Sequence, residues 1–237
     1  HMIPLESVMA KVWNKKMFQL IDKEVNAASK KLAEERGPCQ DAAEYGINER
    51  FSNKTAIAPT ASISIICGGA SPGIEPVAAN SYTHKTLSGS FNVRNKYLKK
   101  VLQKYNQDTN DVWSSITSHQ GSVDHLDFLS PDEKDVFKTA FEIDQSWLID
   151  HSADRTPYIS QAQSLNVFIP ADIHKKDLHQ IHYQAWKKGL KSLYYCRSKS
   201  IQRAEVVSQT FAKSNKQNKN QNQNQQTNDY EECLSCQ

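Results

Sequence analysis

Two cysteines near the end of the chain, Cys233 and Cys236, are separated by two residues. A CxxC pair can exchange disulfides, because one thiolate attacks a disulfide and the second thiol resolves the mixed intermediate. The same spacing can provide half of a zinc site or arise by chance. A structural zinc site takes four Cys or His ligands, and the sequence has no second CxxC. The pattern therefore favours dithiol exchange.

A second candidate is the run Thr60, Ala61, Ser62 and Ile63, which follows Pro59. Small and hydroxyl residues on a turn that leads into a regular element can present backbone N–H groups and hydroxyls to an anion. The GxxxxGK[ST] pattern of a P-loop is absent. An ordinary Ser/Thr turn is the alternative interpretation of this run.

A third candidate is the adjacent pair Tyr194 and Tyr195, at the end of an apolar run. Neighbouring side chains of a strand face opposite ways, so a structural interpretation has one ring in the core and the other at the surface. A functional interpretation requires both phenols to take part in one reaction path. The residues themselves leave both interpretations open.

Three histidines invite a metal interpretation: His174, His179 and His182. The last two share one helical face, but no nearby carboxylate or cysteine completes an obvious ligand set. We interpret them as part of a solvated or partly buried helix face and predict no metal site in this chain.

Composition excludes several classes of protein. The 237 residues carry 29 Lys and Arg against 26 Asp and Glu, a net charge of 29 − 26 = +3, which is too weak to indicate direct DNA binding. No apolar stretch approaches the ~18 residues of a membrane helix. Five cysteines are too few for a disulfide scaffold and fit a reducing, cytoplasmic location. We set His1 and Met2 aside as a cloning remnant.

Helical periodicity dominates the elements that must position these residues. An amphipathic helix, possibly broken in two, is predicted over 5–36 and ends at Gly37. Further helices are predicted from apolar residues at helical spacing and from a capping box that starts at Ser130. The positions at helical spacing are Val93, Tyr97, Leu98, Val101, Leu102, Val112, Trp113, Ile116, Leu178, Ile181, Ala185 and Trp186.

Strand patterns are shorter. We predict a strand within 54–58, a tight loop, and then a strand or a helix start within 62–67. Another strand is predicted at 165–169, and 190–195 is predicted to follow a helix and Gly189 directly as a strand, which is typical of an α/β unit. Residues 213–229 hold 11 Asn or Gln among 17 positions without an aliphatic or aromatic side chain, and this composition predicts a flexible linker.

Five separated stretches, taken together, resemble one family. They are NKTAIAPTASISIICGGASPGIEP, SYTHKTLSGSF, SVDHLDFLSPDEKDVFKTAFEIDQSWLIDHSADR, KKGLKSLYYCRSKSIQRAE and the terminal ECLSCQ. In this order they are similar to the C-terminal part of the large (alpha) subunit of class I ribonucleotide reductase. The resemblance covers roughly residues 20–205 and the terminal pair.

The resemblance implies an α/β fold, the C-terminal portion of the ten-stranded barrel of that family. It divides the chain into a cloning remnant at 1–2, the barrel segment at 3–212, the linker at 213–229 and a redox-active tail at 230–237. It also implies reduction of ribonucleoside diphosphates to deoxyribonucleoside diphosphates for DNA synthesis.

Roles for individual residues follow from the same resemblance. Thr60, Ala61, Ser62 and Ile63 correspond to the loop that binds the substrate diphosphate. The phenols of Tyr194 and Tyr195 correspond to the pair that carries a radical from the small (beta) subunit to the active-site cysteine. The tail pair, Cys233 and Cys236, corresponds to the dithiol that reduces the active-site disulfide and is reduced by thioredoxin or glutaredoxin.

The family motifs that carry the thiyl cysteine and the active-site disulfide are not recognisable in this sequence. We assign no role to Cys39, Cys67 or Cys196. The chain is therefore expected to require an N-terminal fragment of the large subunit, to bind no cofactor itself and to rely on a dimetal-tyrosyl radical in the small subunit. The alternatives are a non-enzymatic assembly module and a stand-alone dithiol redox protein.

Overall fold

The structure is a computed structural model that describes residues 1–86 and 89–198, with the backbone alone for 84–86 and 89–91. The predicted linker at 213–229 and the tail pair Cys233 and Cys236 lie outside the described residues, as does the stretch 199–212. Among the residues that the structure describes, no helix combines the length and the apolar character needed to cross a membrane.

The described residues form eight α-helices and one 3₁₀ turn at Thr156–Tyr158. The helices are α1 Val8–Arg36, α2 Gln40–Glu44, α3 Ala61–Ile66, α4 Lys96–Lys104, α5 Asn110–Ser118, α6 Pro131–Val136, α7 Gln145–Arg155 and α8 Lys175–Lys187. Most begin at a residue whose side chain accepts a hydrogen bond from a backbone N–H of the first turn, as N-cap residues do. These caps are Ser7, Asn95, Thr109, Ser130, Asp144 and His174.

Four strands form two small sheets in this part of the chain. The strands β1 Ser81–Thr86 and β2 Gly89–Arg94 are antiparallel, with Ser81 opposite Arg94. The other two, β3 Val167–Ile169 and β4 Cys196–Ser198, are parallel, with Val167 opposite Cys196. Because parallel strands need a crossover connection, β3, α8 and β4 form an α/β unit of the predicted order, although its second strand begins later than predicted.

The buried apolar side chains form two clusters. The larger joins α4 and α5 to the segment that leads into α6 and comprises Leu98, Val101, Leu102, Trp113, Ile116, Val123, Leu126, Leu129 and Phe137. The smaller joins α7, β3 and α8 and comprises Ile149, Leu165, Val167 and Ala185. It lies beside the segment that carries the tyrosine pair, because Leu193 packs against it.

Helix α1 is one unbroken helix, and its apolar side faces outward. The residues buried along it are Asn14, Ser29 and Ala33. Asn14 Nδ2 donates to the carbonyl oxygen of His151 over 2.9 Å, so a polar contact holds α1 against α7. The exposed large apolar residues of the helix form a stripe, the α1 stripe, which comprises Val8, Met9, Val12, Trp13, Met17, Leu20 and Ile21.

The helices predicted from the spacing of apolar residues are confirmed as α4, α5 and α8. Val93 was placed on the first of these helices but lies in strand β2, and two side chains within the helices are misplaced. Tyr97 and Trp186 were expected on buried helix faces, but both are exposed. Tyr97 directly precedes the buried Leu98, and Trp186 directly follows the buried Ala185. Because successive side chains of a helix point in different directions, both rings face solvent.

The strand predictions are less accurate. At 54–58 there is only an isolated bridge between Ile57 and Gln163, and the residues after Thr60 form helix α3, which was the alternative for that segment. The strand predicted at 190–195 is wrong, since β4 begins at Cys196. The hairpin of β1 and β2 was not predicted.

Candidate active site: a tyrosine pair and a hydroxyl-rich loop

The rings of Tyr194 and Tyr195 lie together. Their centroids are 4.2 Å apart, with an angle of 57° between the ring planes. Both side chains are about equally exposed, at 41% and 42%, so neither ring is packed in the core. The structural interpretation from strand alternation is therefore wrong here, because these residues precede β4 and do not follow the alternation of a regular strand.

Backbone hydrogen bonds to the β3 region hold the tyrosine pair. The N–H of Tyr194 donates to the carbonyl of Leu165 over 2.8 Å, and the N–H of Val167 donates to the carbonyl of Tyr195 over 3.0 Å. The N–H of Tyr195 is bonded differently, since it donates to the side-chain Oδ1 of Asn166 over 3.2 Å. Tyr195 is thus held both by the amide side chain of Asn166 and by the backbone N–H of Val167.

A cation lies over the second ring of the pair. The guanidinium carbon of Arg197 is 5.0 Å from the centroid of the Tyr195 ring. A cation at this distance is attracted by the ring face, an interaction of roughly 0.5–1 kcal/mol at an exposed site. Arg197 therefore helps to orient the Tyr195 ring from β4.

The hydroxyl-rich loop leads into α3 as a turn into a helix. Thr60 is the N-cap, but its hydroxyl donates to the carbonyl of Pro72 over 3.1 Å instead of capping the helix. The first backbone N–H groups of any α-helix have no intrahelical acceptor, and here they belong to Ala61, Ser62 and Ile63. Ser62 and Ile63 are exposed. The loop can therefore offer several donors to an anion.

Glu75 links this loop region to β3. Its carboxylate is buried, with 4% of the residue exposed, and its Oε1 accepts a hydrogen bond from the backbone N–H of Asn166. Burial raises the pKa of Glu75, since it disfavours the charged form. Sequence reasoning assigned no role to Glu75 or Asn166; an acidic residue before Pro76 and an Asn inside an apolar run were the available signals.

A buried polar cluster contacts the segment that leads to the tyrosine pair. Gln163 Oε1 accepts hydrogen bonds from Ser152 Oγ over 3.0 Å and from Arg155 Nε over 2.5 Å, while its Nε2 donates to Thr156 Oγ1 over 2.8 Å. Burial lowers the pKa of Arg155 to about 10, and the guanidinium stays protonated at neutral pH. Ser192 Oγ donates to the carbonyl of Gln163 over 3.1 Å, which connects the cluster to the segment before the tyrosines.

The cysteines that the structure describes do not form a site. Cys39 is the N-cap residue of α2, Cys67 is the C-cap residue of α3, and Cys196 begins β4. Cys196 is exposed, and partial desolvation raises the pKa of its thiol, which favours the protonated form. Within 1–86 and 89–198, no three His, Cys, Asp or Glu side chains are grouped so that they could hold a metal ion.

Comparisons with known proteins agree with this architecture. The family model described as "Ribonucleotide reductase, barrel domain" matches residues 40–196. The ribonucleoside-diphosphate reductase large subunit of Invertebrate iridescent virus 6 is 47% identical over 210 residues, which cover 87% of this chain and 22% of the viral protein. The large subunit of Invertebrate iridescent virus 3 is 44% identical over 212 residues, or 88% of this chain and 33% of that protein.

A solved structure is also similar. The class Id ribonucleotide reductase alpha subunit of Actinobacillus ureae superposes with a TM-score of 0.77 at 36% sequence identity, covering 87% of this chain and 37% of that chain. The chain therefore belongs to the ribonucleotide reductase family, and its described part has the α/β fold of the barrel domain of the large subunit. It spans 22% and 33% of the length of the two viral relatives.

Proposed function

We propose that this chain forms part of the active site of a ribonucleoside-diphosphate reductase, where it binds the substrate diphosphate and relays a radical. The observation that carries this proposal is the tyrosine pair, whose ring centroids are 4.2 Å apart at the surface of a reductase barrel fold. Neither ring is buried, so the pair can pass an electron from the active site to a docked partner that carries the oxidant.

The reaction replaces the 2′-hydroxyl of the ribose with hydrogen. A cysteine thiyl radical first removes the 3′ hydrogen atom, the 2′ hydroxyl leaves as water, and a cysteine pair supplies two electrons and becomes a disulfide. The 3′ hydrogen atom then returns and regenerates the thiyl radical. The net change is one ribonucleoside diphosphate and one dithiol converted into one deoxyribonucleoside diphosphate, one disulfide and water. We assign the thiyl cysteine to an N-terminal fragment of the large subunit.

The tyrosines suit the relay because a phenol can lose an electron and a proton together, which avoids the formation of an isolated charge. The dimetal-tyrosyl radical that we expect in the small subunit supplies the one-electron oxidant. In each step one phenol is oxidised to a phenoxyl radical, and the radical that oxidises it is reduced. The last phenoxyl takes a hydrogen atom from the thiol, which becomes the thiyl radical.

The hydroxyl-rich loop binds the substrate in this proposal. The N–H groups of Ala61, Ser62 and Ile63 and the hydroxyl of Ser62 are the donors that we assign to the substrate diphosphate. The hydrogen bonds from Thr60 to Pro72 support this role, because they hold the start of the loop closed without using the free N–H groups of α3.

The remaining parts of the proposal concern partners. We assign Cys233 and Cys236 to the reduction of the active-site disulfide, with thioredoxin or glutaredoxin as the source of electrons. The small subunit docks, in this proposal, on the side of the molecule where the tyrosine pair is exposed. The N-terminal fragment of the large subunit supplies the rest of the barrel, since the matched relatives are three to five times longer than the part they share with this chain.

The test is Tyr195→Phe in the complete reductase, which retains the ring but removes the oxidisable phenol. We expect ribonucleoside diphosphate reduction to fall at least roughly a hundredfold, which corresponds to about 3 kcal/mol of added barrier, with substrate affinity unchanged. Tyr45→Phe, at an exposed tyrosine outside the site, is the matched control and should have full activity. Unchanged turnover in Tyr195→Phe would exclude the relay and favour a non-enzymatic assembly role.

A further inference from the structure

A chain of hydrogen bonds joins the hydroxyl-rich loop to the tyrosine pair. At the loop end, the N–H and the hydroxyl of Thr60 both donate to the carbonyl of Pro72, over 2.9 and 3.1 Å. Three residues later, Glu75 Oε1 accepts from the N–H of Asn166. At the other end, Asn166 Oδ1 accepts from the N–H of Tyr195 over 3.2 Å. We call these contacts the Glu75–Asn166 link.

The packing around Glu75 makes the link stiff. A Cβ at Gly73 would collide with Oε2 of Glu75 and would lie 3.2 Å from its Cδ, so the loop backbone lies directly against the carboxylate. Ser71 Oγ donates to the carbonyl of Glu75 over 2.8 Å and ties the same backbone from the loop side. A displacement of the loop therefore moves the carboxylate and, with it, the backbone of Asn166.

We propose that Glu75 and Asn166 are positioning residues that connect the substrate loop to Tyr195, so that a nucleoside diphosphate on the loop sets the position of the tyrosine pair. This inference rests on the proposed function of the loop and of the pair, and it adds a physical connection between them. Neither residue contacts the reacting atoms in this proposal. Glu75 acts through the backbone N–H of Asn166, and Asn166 acts through the backbone N–H of Tyr195.

The connection matters because relay and substrate must be aligned together. A misplacement of a reacting group by about 1 Å can cost roughly a hundredfold in rate. With the Asn166 acceptor removed, the N–H of Tyr195 loses its bond to this residue, while the bond from Val167 N–H to the Tyr195 carbonyl and the bond of Tyr194 to Leu165 remain. The ring of Tyr195 is then held less firmly relative to the ring of Tyr194.

The experiment measures amide hydrogen exchange in the complete reductase with and without cytidine diphosphate. In the wild type we expect the nucleotide to slow exchange in peptides covering 59–66 and also in those covering 190–198. In Asn166→Ala we expect slowing in the first region only, affinity for cytidine diphosphate within about twofold of the wild type, and turnover reduced roughly ten- to a hundredfold.

Two variants separate positioning from a general loss of structure. Glu75→Gln keeps an oxygen that can accept from Asn166, so the nucleotide-dependent protection of 190–198 should be retained. Asn48→Ala removes an exposed Asn away from the link and should behave as the wild type.

The failures can be told apart. If cytidine diphosphate protects 190–198 as strongly in Asn166→Ala as in the wild type, the link is wrong and the proposed function stands. The same conclusion follows if the wild type shows protection at 59–66 alone. If the wild type shows no protection at 59–66, the loop does not bind the diphosphate, and both the link and that part of the proposed function are wrong.

Discussion

Burial of His151 makes the stability of this protein depend on pH. The residue is 4% exposed, and its Nε2 donates to the carbonyl of Leu5 over 2.8 Å. Burial lowers the pKa of His151, with a smaller opposing effect from the hydrogen bond to Leu5. The folded state therefore prefers the neutral imidazole, whereas the unfolded chain takes up a proton near the usual pKa of about 6.5.

The direction of the pH effect follows from proton binding. Below about pH 6.5 the unfolded state holds more protons at this residue than the folded state, so stability falls as the pH is lowered toward the depressed folded-state pKa. Above about pH 6.5 the contribution is fully present. We expect the free energy of unfolding of His151→Gln, whose amide can still donate to Leu5, to fall less than that of the wild type between about pH 7.5 and about pH 5.5.

Urea denaturation at several pH values provides the measurement. His125, whose pKa is also lowered by burial, is present in both proteins and cancels in the comparison. His179→Gln, at an exposed histidine, is the matched control and should keep the pH dependence of the wild type. Equal pH dependence in His151→Gln and the wild type would show that His151 does not contribute.

Individual helices are defined mainly by local chemistry at their first turns. At α6, Ser130 Oγ accepts from the N–H of Glu133 over 3.3 Å, and Glu133 Oε2 accepts from the N–H of Ser130 over 3.0 Å. This is the capping box that the sequence predicted, with Pro131 at the first helical position. The helix has only six residues, so its stability depends strongly on this cap.

At this scale we expect Ser130→Ala to lower the free energy of unfolding by about 1 kcal/mol, because it removes the acceptor for the N–H of Glu133. Thermal or urea denaturation measures the change. Ser52→Ala, at an exposed serine in a loop, should change the free energy of unfolding by less than about 0.5 kcal/mol. A loss in Ser130→Ala no larger than that of the control would contradict a stabilising cap.

For the whole molecule, the outstanding feature is the α1 stripe. Large apolar side chains occupy the outer side of α1, with Trp13 at 41% and Leu20 at 58% exposed, while the inner side of the helix uses polar contacts from Asn14. A contiguous exposed apolar surface of this kind is typical of an interface. Since the chain matches only part of its viral relatives, the proposed occupant is the rest of the large subunit.

The corresponding prediction uses the double substitution Trp13→Gln and Leu20→Gln. We expect it to weaken association with a polypeptide that carries the rest of the large subunit by roughly 30- to 100-fold, because about 2–3 kcal/mol of apolar burial is lost. Sedimentation velocity on mixtures of the two polypeptides measures this. Lys16→Gln with Lys23→Gln, at exposed positions of the same helix, is the control and should associate normally. Unchanged association of the apolar variant would exclude the stripe as the interface.

Local patterns could be predicted where neighbours in sequence are also neighbours in space. The end of α1 at Gly37, the cap at Ser130 and the helical spacing of Leu98 and Leu102 all depend on contacts within a few residues. The hairpin of β1 and β2 was missed because its stabilisation comes from cross-strand pairing. The beginning of β4 was misplaced for the same reason, since its pairing with β3 lies 29 residues away along the chain.

The amino-acid sequence alone determined the family, the adjacency of Tyr194 and Tyr195 and the composition of the loop at 60–63, because these are properties of residue order. Only the tertiary structure decided that both rings lie at the surface and that a buried Glu75 holds Asn166, 91 residues further along the chain. Contacts of that kind form when separate segments pack together and exclude water from a polar group, which then must find a partner in the fold.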